Sequence, residues 1–116
     1  VPLPQGWSML TSHRLNDPDC PRTAAYLPAF ERAPIPDPER GAWSSWQMLL
    51  GSRADDISTN PTAAMCVVTD SGFGTVCSSL IALPSTATAT RKANPRGVYL
   101  FAAGRPDLTP YEPVVA

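Results

Sequence analysis

The chain has 116 residues and a mass of 12.4 kDa, and its nine Lys and Arg against ten Asp and Glu give a formal net charge of −1. This length fits one small domain, or part of a larger one, and excludes a second domain. The eight Arg and one Lys are scattered rather than clustered, which argues against a nucleic-acid partner. No apolar run approaches the ~18 residues of a membrane span, and no signal-peptide pattern opens the chain. We therefore expect a soluble protein.

The three cysteines are too widely spaced for a disulfide framework or a zinc site. Cys20 lies far from Cys66 and Cys77, and His13 is the only histidine. We therefore predict reduced thiols, a cytoplasmic location, and neither a metal nor another cofactor. The chain begins at Val1 in a Pro-rich segment without an initiator Met, which predicts a processed product or an excised fragment.

Seven prolines in the first third of the chain exclude long helices there, because proline fixes φ and lacks a backbone donor. A short helix is still predicted over Arg22–Leu27. Pro21 suits its first turn, and Asp17 or Asp19 can serve as the N-cap. Pro28 should end or kink this helix.

A second helix is predicted from about Pro38 or Ala42 to Leu50, because Asp-Pro-Glu is a typical start signal. Gly51 should close this helix as a left-handed cap. Trp43 and Trp46 recur at helical spacing with Leu50, so one side of the helix is apolar. Such tryptophans more often pack in a core than stack on a ligand.

The second half of the chain is rich in β-branched and aromatic runs separated by turn residues. The expected fold is α+β, an antiparallel three-strand meander covered by two short helices, with apolar residues on both sheet faces. Residues 1–51 are helical, residues 63–103 are β-rich, and residues 104–116 form an extended tail. The polar stretches 52–62 and 84–96 should be exposed loops. The three predicted strands are Ala63–Thr69, Gly74–Leu83 and Gly97–Ala103.

A two-residue turn at Ser71 and Gly72 would join the first two strands. That register places Cys66 directly opposite Cys77. The separation of such a pair is within the range of a disulfide, but a reducing compartment favours two free thiols.

Two clusters of polar residues suggest chemistry only weakly. Ser12, His13 and Asp17 lie within six residues, but a working triad is assembled from separate elements, and no G-x-S-x-G turn is present. Asp55 and Asp56 are adjacent, so their side chains diverge, and no further metal ligands follow at a suitable spacing. A surface role is the simpler interpretation of both clusters.

Two segments carry a resemblance to a known family. GFGTVCSSLIALP, beginning at Gly72, and GWSMLTSHRLNDPDCPR, beginning at Gly6, resemble the NRDE family, also called the transport and Golgi organisation family. The order and spacing agree across nearly the whole chain, although Val76 stands where the family commonly has Arg. The residues that match the first family segment are Ser12, Leu15, Asp17, Pro18 and Pro21.

The resemblance implies the C-terminal half of an NRDE-like protein, within an αββα N-terminal nucleophile hydrolase-like layer arrangement. The family's Met-Cys start and its Asn-Arg-Asp-Glu motif are both missing from this chain. If the parent is an enzyme, it would be an amide-bond hydrolase whose nucleophile lies elsewhere. Val1 cannot replace that nucleophile, because it has no side-chain heteroatom. The partner would be the N-terminal segment of the same protein or another chain.

Carried over from the family, the residues expected to line a site are Ser12, Thr75, Ser78 and Ser79, none of them catalytic. The alternative for these hydroxyls is hydrogen bonding within the sheet. A second hypothesis for function is a self-contained binding module. In that module Trp7, Trp43 and Trp46 would line a groove for a small apolar ligand.

Overall fold

The computed structural model describes residues 2–53, 61–85 and 97–114. Within these ranges the chain forms two α-helices and a three-stranded antiparallel sheet, which confirms the predicted α+β class. The loops predicted at 52–62 and 84–96 lie mostly outside the described residues. The elements in chain order are α1 (Pro21–Arg32), a 3-10 turn (Pro38–Arg40), α2 (Ser44–Leu50), a second 3-10 turn (Pro61–Ala63), β1 (Ser78–Ala82), β2 (Val98–Ala102) and β3 (Glu112–Pro113).

Helix α1 begins at Pro21, as predicted, but it does not end at Pro28. It continues to Arg32, so of the two outcomes left open at Pro28 the early end at Leu27 is wrong, and the helix runs on past the proline. The extension is explained by burial, because Phe30 is buried on the same face as Tyr26, one helical turn earlier. Packing of that aromatic face offsets the loss of the main-chain hydrogen bond that proline cannot form in the helix interior.

The predicted second helix is divided into two elements. The Asp-Pro-Glu signal starts the 3-10 turn Pro38–Arg40, and α2 begins only at Ser44. Gly41 closes the 3-10 turn with a left-handed φ of 67°. The predicted left-handed cap at Gly51 is wrong, because its φ is −89°. Gly51 instead permits a close approach, since a Cβ there would lie 3.1 Å from the carbonyl oxygen of Pro106.

The sheet has the strand order β1-β2-β3, and Leu80 of β1 lies opposite Leu100 of β2. Strands β1 and β2 lie inside the second and third predicted strands and are shorter than those predictions. The third strand of the sheet comes from the C-terminal tail, where Phe101 lies opposite Glu112. The sequence indicated only an extended segment there.

The predicted first strand, Ala63–Thr69, is wrong. A 3-10 turn ends at Ala63, and the only strand-like pairing described in the segment is a single bridge between Val68 and Gly74. The predicted register would have placed Val67 opposite Val76, so the observed bridge is offset by one residue. The hydroxyl of Thr75 accepts the Val67 N–H at 2.9 Å, so a side chain takes the donor that a ladder would have used.

The two cysteines that were predicted to face each other differ in burial. Cys66 is buried and Cys77 is exposed, so they do not form the predicted opposite pair. All three cysteines are free thiols, as predicted. Within the described residues one face of the sheet is partly uncovered, because Ile81 and Tyr99 expose the same face. None of the described helices combines the length and apolar character needed to cross a membrane.

Candidate functional site

A groove lined by all three tryptophans lies between the helices and the edge of the sheet. It has a volume of about 350 Å³. Trp7 comes from the N-terminal segment, Trp43 is the residue before α2, and Trp46 lies on α2. We call this hollow the tryptophan groove; its lining is completed by Ser8, Met9, Leu10, Leu27, Phe30, Leu50, Met65, Ser79, Leu80 and Ile81.

Aromatic contacts fix one wall of the tryptophan groove. The ring of Trp46 meets Phe30 edge-on, with centroids 5.0 Å apart and an interplanar angle of 81°. Trp46 also contacts Trp7 at 5.4 Å and 56°. Both arrangements are favoured by the ring quadrupoles. The wall is therefore a packed aromatic cluster rather than three independent side chains.

The N-terminal segment is held in place by Asn16. Its side-chain oxygen accepts the Met9 N–H at 2.6 Å, and its own N–H donates to the Met9 carbonyl at 3.1 Å. Asn16 has a left-handed φ of 56°, a conformation that Asn tolerates better than most residues. This reciprocal pair secures the chain two residues after Trp7 and so positions the outer wall of the tryptophan groove.

Two indole N–H groups of the tryptophan groove lie buried without a hydrogen-bond partner among the described residues. They belong to Trp43, which is only 4 % exposed, and to Trp46. A buried donor without a partner costs roughly 1–3 kcal/mol.

Among the residues that the structure describes, no charged side chain lines the tryptophan groove. The polar side chains among its described lining residues, apart from the tryptophans, are those of Ser8 and Ser79. An ion placed there would lose hydration without gaining an opposite charge. The groove therefore suits a neutral molecule.

The predicted site residues do not converge on one place. Ser12 is exposed in the loop before α1. Thr75 uses its hydroxyl on the main chain of Val67, and Ser78 accepts a hydrogen bond of 2.6 Å from the Tyr111 hydroxyl. Among the four predicted residues, only Ser79 lines the tryptophan groove. Sequence spacing could not show this, because Ser78 and Ser79 point to opposite faces of one strand.

The serine, histidine and aspartate near the N-terminus form a turn. His13 Nδ1 lies 3.8 Å from Asp17 Oδ2, and Asp17 also accepts the N–H of Asp19 at 3.0 Å. No hydrogen bond joins Ser12 to His13 in the described parts of the chain. The arrangement stabilises the turn before α1. The Asp55–Asp56 pair lies outside the described residues, and the described residues contain no group of three metal-ligating side chains.

A second polar cluster was not predicted from the sequence. Asp107 receives two hydrogen bonds from Arg105, at 3.1 and 2.7 Å, and one from the Cys66 thiol at 3.3 Å. Burial, followed by the Asp107 hydrogen bond, raises the pKa of the Cys66 thiol. The thiol is therefore protonated near neutral pH and is a poor nucleophile.

Asp107 and Tyr111 also line a larger hollow of about 530 Å³ beside α2. Their polar groups are already bonded to Arg105 and Ser78. The tryptophan groove differs because an aromatic cluster forms one wall and no charged side chain is among its described lining residues. It is therefore the stronger candidate for a ligand site.

The surroundings of Cys20 favour the thiolate, in contrast to those of Cys66. The main-chain N–H of Thr23, in the first turn of α1, is the largest cause that lowers the pKa of Cys20 to about 7. Its side chain is nevertheless buried, which limits access by reagents.

Comparison with known proteins gives no relative. No family model matches the chain, and no curated protein or solved structure matches it. The functional evidence is therefore the geometry of the tryptophan groove.

Proposed function

We propose that this chain is a binding module for a small, neutral and largely apolar ligand that occupies the tryptophan groove. The observation that carries the proposal is the convergence of Trp7, Trp43 and Trp46 on one hollow that has no charged side chain among its described lining residues. The ligand would stack against the aromatic wall. Its size is limited by a volume near the lower end of ordinary ligand pockets.

The binding energy would come mainly from apolar contact. Covering roughly 300 Å² of apolar surface, counted on both partners, gives about 7.5 kcal/mol at ~25 cal/mol per Å². The ligand's lost freedom reduces this value, so micromolar or weaker dissociation constants are expected. Binding is favoured over catalysis because the described residues of the lining include no Cys, His, Asp, Glu or Lys.

A titration with N-phenyl-1-naphthylamine, a neutral apolar fluorophore, tests the proposal. Energy transfer from tryptophan to the probe should rise to saturation as the probe is added. Trp7→Ala should raise the dissociation constant of the probe at least tenfold. Trp7 is 37 % exposed, so its removal spares the buried core. Met48→Ala is the matched control, because Met48 lies on α2 outside the tryptophan groove. Non-saturable binding would reject the proposal. So would equal changes in the dissociation constant of the probe in Trp7→Ala and Met48→Ala.

A second candidate is a segment of an NRDE-like protein with an N-terminal nucleophile hydrolase-like arrangement. It is supported by exposure of the segment that carries the resemblance, where Phe73, Val76 and Leu83 are all more than two-thirds exposed. Another layer of polypeptide would cover these side chains. Any amide-bond hydrolysis would then belong to the whole protein, with its nucleophile outside this chain.

The coding sequence of the native gene product tests the second candidate. A Met-Cys start and an Asn-Arg-Asp-Glu motif ahead of Val1 would support it, and a native product that lacks both would reject it. For either candidate we propose a cytoplasmic location, because all three cysteines are free thiols. Recovery of the native protein in an oxidising compartment would contradict that location.

A further inference from the structure

We infer that the ligand of the tryptophan groove is a short, uncharged, apolar peptide segment that pairs in extended form with the free edge of β1. This inference rests on the proposed binding function and specifies its ligand. It follows from the direction of the main-chain groups of β1, which the register of the sheet determines.

The hydrogen-bonding direction can be traced from the far side of the sheet. Val114 donates its N–H to the Tyr99 carbonyl at 2.8 Å, so the main-chain groups of Tyr99 face β3. In a strand these groups alternate in direction, so those of Leu100 face β1. Leu100 lies opposite Leu80, so these two residues form a hydrogen-bonded pair of the ladder.

The main-chain groups of the residues on either side of Leu80 must then point away from β2. The main-chain N–H and C=O groups of Ser79 and Ile81 face the outer edge of β1, which has no neighbouring strand in the described sheet. Within the part of the chain that the structure describes, no hydrogen bond reaches these four groups. The two residues are separated by about 6.8 Å, the two-residue repeat of any strand.

This free edge opens into the tryptophan groove. Ser79, Leu80 and Ile81 are consecutive and present alternate faces, yet all three line the groove. A hollow that contacts all three must meet the main chain at the strand edge. A ligand seated there can therefore contact the aromatic wall and the unpaired backbone groups together.

Charge and exposure favour a neutral apolar segment as the occupant. The lining carries no charge, so a segment with charged side chains or free termini in the groove would lose hydration without compensation. Leu10 and Ile81 at the rim are 71 % and 61 % exposed, and a bound strand would cover both. Main-chain pairing with pockets for alternate side chains is an established mode of peptide recognition.

A second copy of the chain fits this edge less well. Its own β1 lines the same groove as the aromatic wall, so pairing two β1 edges would bring the two walls together. The groove volume of about 350 Å³ suits a few peptide residues rather than an opposing sheet. We therefore infer that the occupant is a peptide.

The test uses acetyl-Ala-Val-Leu-Val-Ala-amide, which is neutral and has blocked ends, in competition with N-phenyl-1-naphthylamine. Two isomers carry one N-methyl group each, on the central Leu or on the following Val. Their composition is identical, but in an extended strand the two methylated nitrogens point to opposite sides. We expect one isomer to bind at least tenfold more weakly than the parent, while the other binds within about threefold of it.

Amide hydrogen exchange provides the matching observation on the protein. The Leu80 amide should be protected in the free chain, whereas the Ser79 and Ile81 amides should exchange quickly and become protected only with peptide. Protection of Ser79 and Ile81 without peptide, together with reversible dimerisation, would show that a second copy occupies the edge and would overturn the inference.

The remaining outcomes separate the inference from the proposed function. If the fluorophore binds but the peptide does not displace it, the inference fails and the proposed function stands. Equal affinity of both N-methyl isomers and the parent would also overturn the inference, because strand pairing would then be absent. If the fluorophore itself does not bind, the proposed function fails, and the inference fails with it.

Discussion

The thiol of Cys66 donates a hydrogen bond of 3.3 Å to Asp107, 41 positions further along the chain. Asp107 is held in turn by two hydrogen bonds from Arg105. The cluster joins the connection between β2 and β3 to the buried segment before β1. It therefore stabilises the part of the fold where regular strand pairing is sparse.

Replacing Asp107 by Asn should lower the free energy of unfolding by about 1.5–3 kcal/mol at neutral pH, since hydrogen bonds to a charged group are lost. Asp37→Asn is the control, because Asp37 forms an exposed pair with Arg40 and such pairs contribute about 0–1 kcal/mol. Chemical denaturation measures both values. Equal losses in the two variants would contradict the role assigned to the cluster.

Stability should also depend on pH through Asp107. The Arg105 hydrogen bonds lower the pKa of the Asp107 carboxyl from its usual 3.8. The unfolded chain therefore binds this proton more readily, and the stabilisation present above about pH 4 is lost as the pH falls through the folded pKa. Below about pH 5, the free energy of unfolding should decrease more steeply with falling pH for the natural chain than for Asp107→Asn. Parallel pH profiles would show that this carboxyl is not linked to folding.

The buried hydrogen bond between Tyr26 and Ser52 provides a second stability test. Their hydroxyl oxygens are 2.9 Å apart, and both side chains are buried. Tyr26→Phe should cost about 1–2 kcal/mol, because this buried bond is lost while the ring remains. Tyr99→Phe is a matched control, since its only described hydroxyl contact is an exposed 3.5 Å approach to Ser79. A larger loss for Tyr99→Phe would contradict this ranking.

The three thiols should react with iodoacetamide in a fixed order. Cys77 is exposed and should be alkylated first. Cys66 should be labelled only on unfolding, because it is buried and burial raises its pKa. Cys20 should lie between them, since its low pKa favours reaction and its burial opposes it. Mass spectrometry of digests resolves the sites; loss of the fast adduct in Cys77→Ser confirms the assignment, and rapid native labelling of Cys66 would refute it.

Local signals in the sequence predicted the helices better than the sheet. Pro21 marks the start of α1, and helical spacing predicts that Trp46 and Leu50 share the apolar side of α2. The extension past Pro28 depends on burial of Phe30, which is a tertiary effect. A proline in sequence carries no information about the contacts that compensate for it.

The prediction of the sheet failed where a side chain replaced a backbone hydrogen-bond partner. The run 63–69 has strand composition, but the Thr75 hydroxyl takes the Val67 donor and pairing stops at one bridge. The two-residue strand Glu112–Pro113 is too short to give a periodic signal. Its proline is tolerated because Leu100 and Pro113 form a pair whose main-chain groups do not face each other.

The candidate site was only partly predictable. The three tryptophans were expected to share a groove under the binding hypothesis, and the structure brings them together. Whether this groove binds a ligand stays a prediction. The free edge at Ser79 and Ile81 could not be predicted, because it depends on which strand pairs with β2 on each side.

The most direct measurement is a proton–nitrogen correlation spectrum of the three indole N–H groups during titration with N-phenyl-1-naphthylamine. We expect saturable shifts of the Trp43 and Trp46 indole signals, while the amide of Leu108, in an exposed turn outside the tryptophan groove, stays in place. Indole signals that do not move, or shifts of equal size at Leu108, would contradict ligand binding in the tryptophan groove.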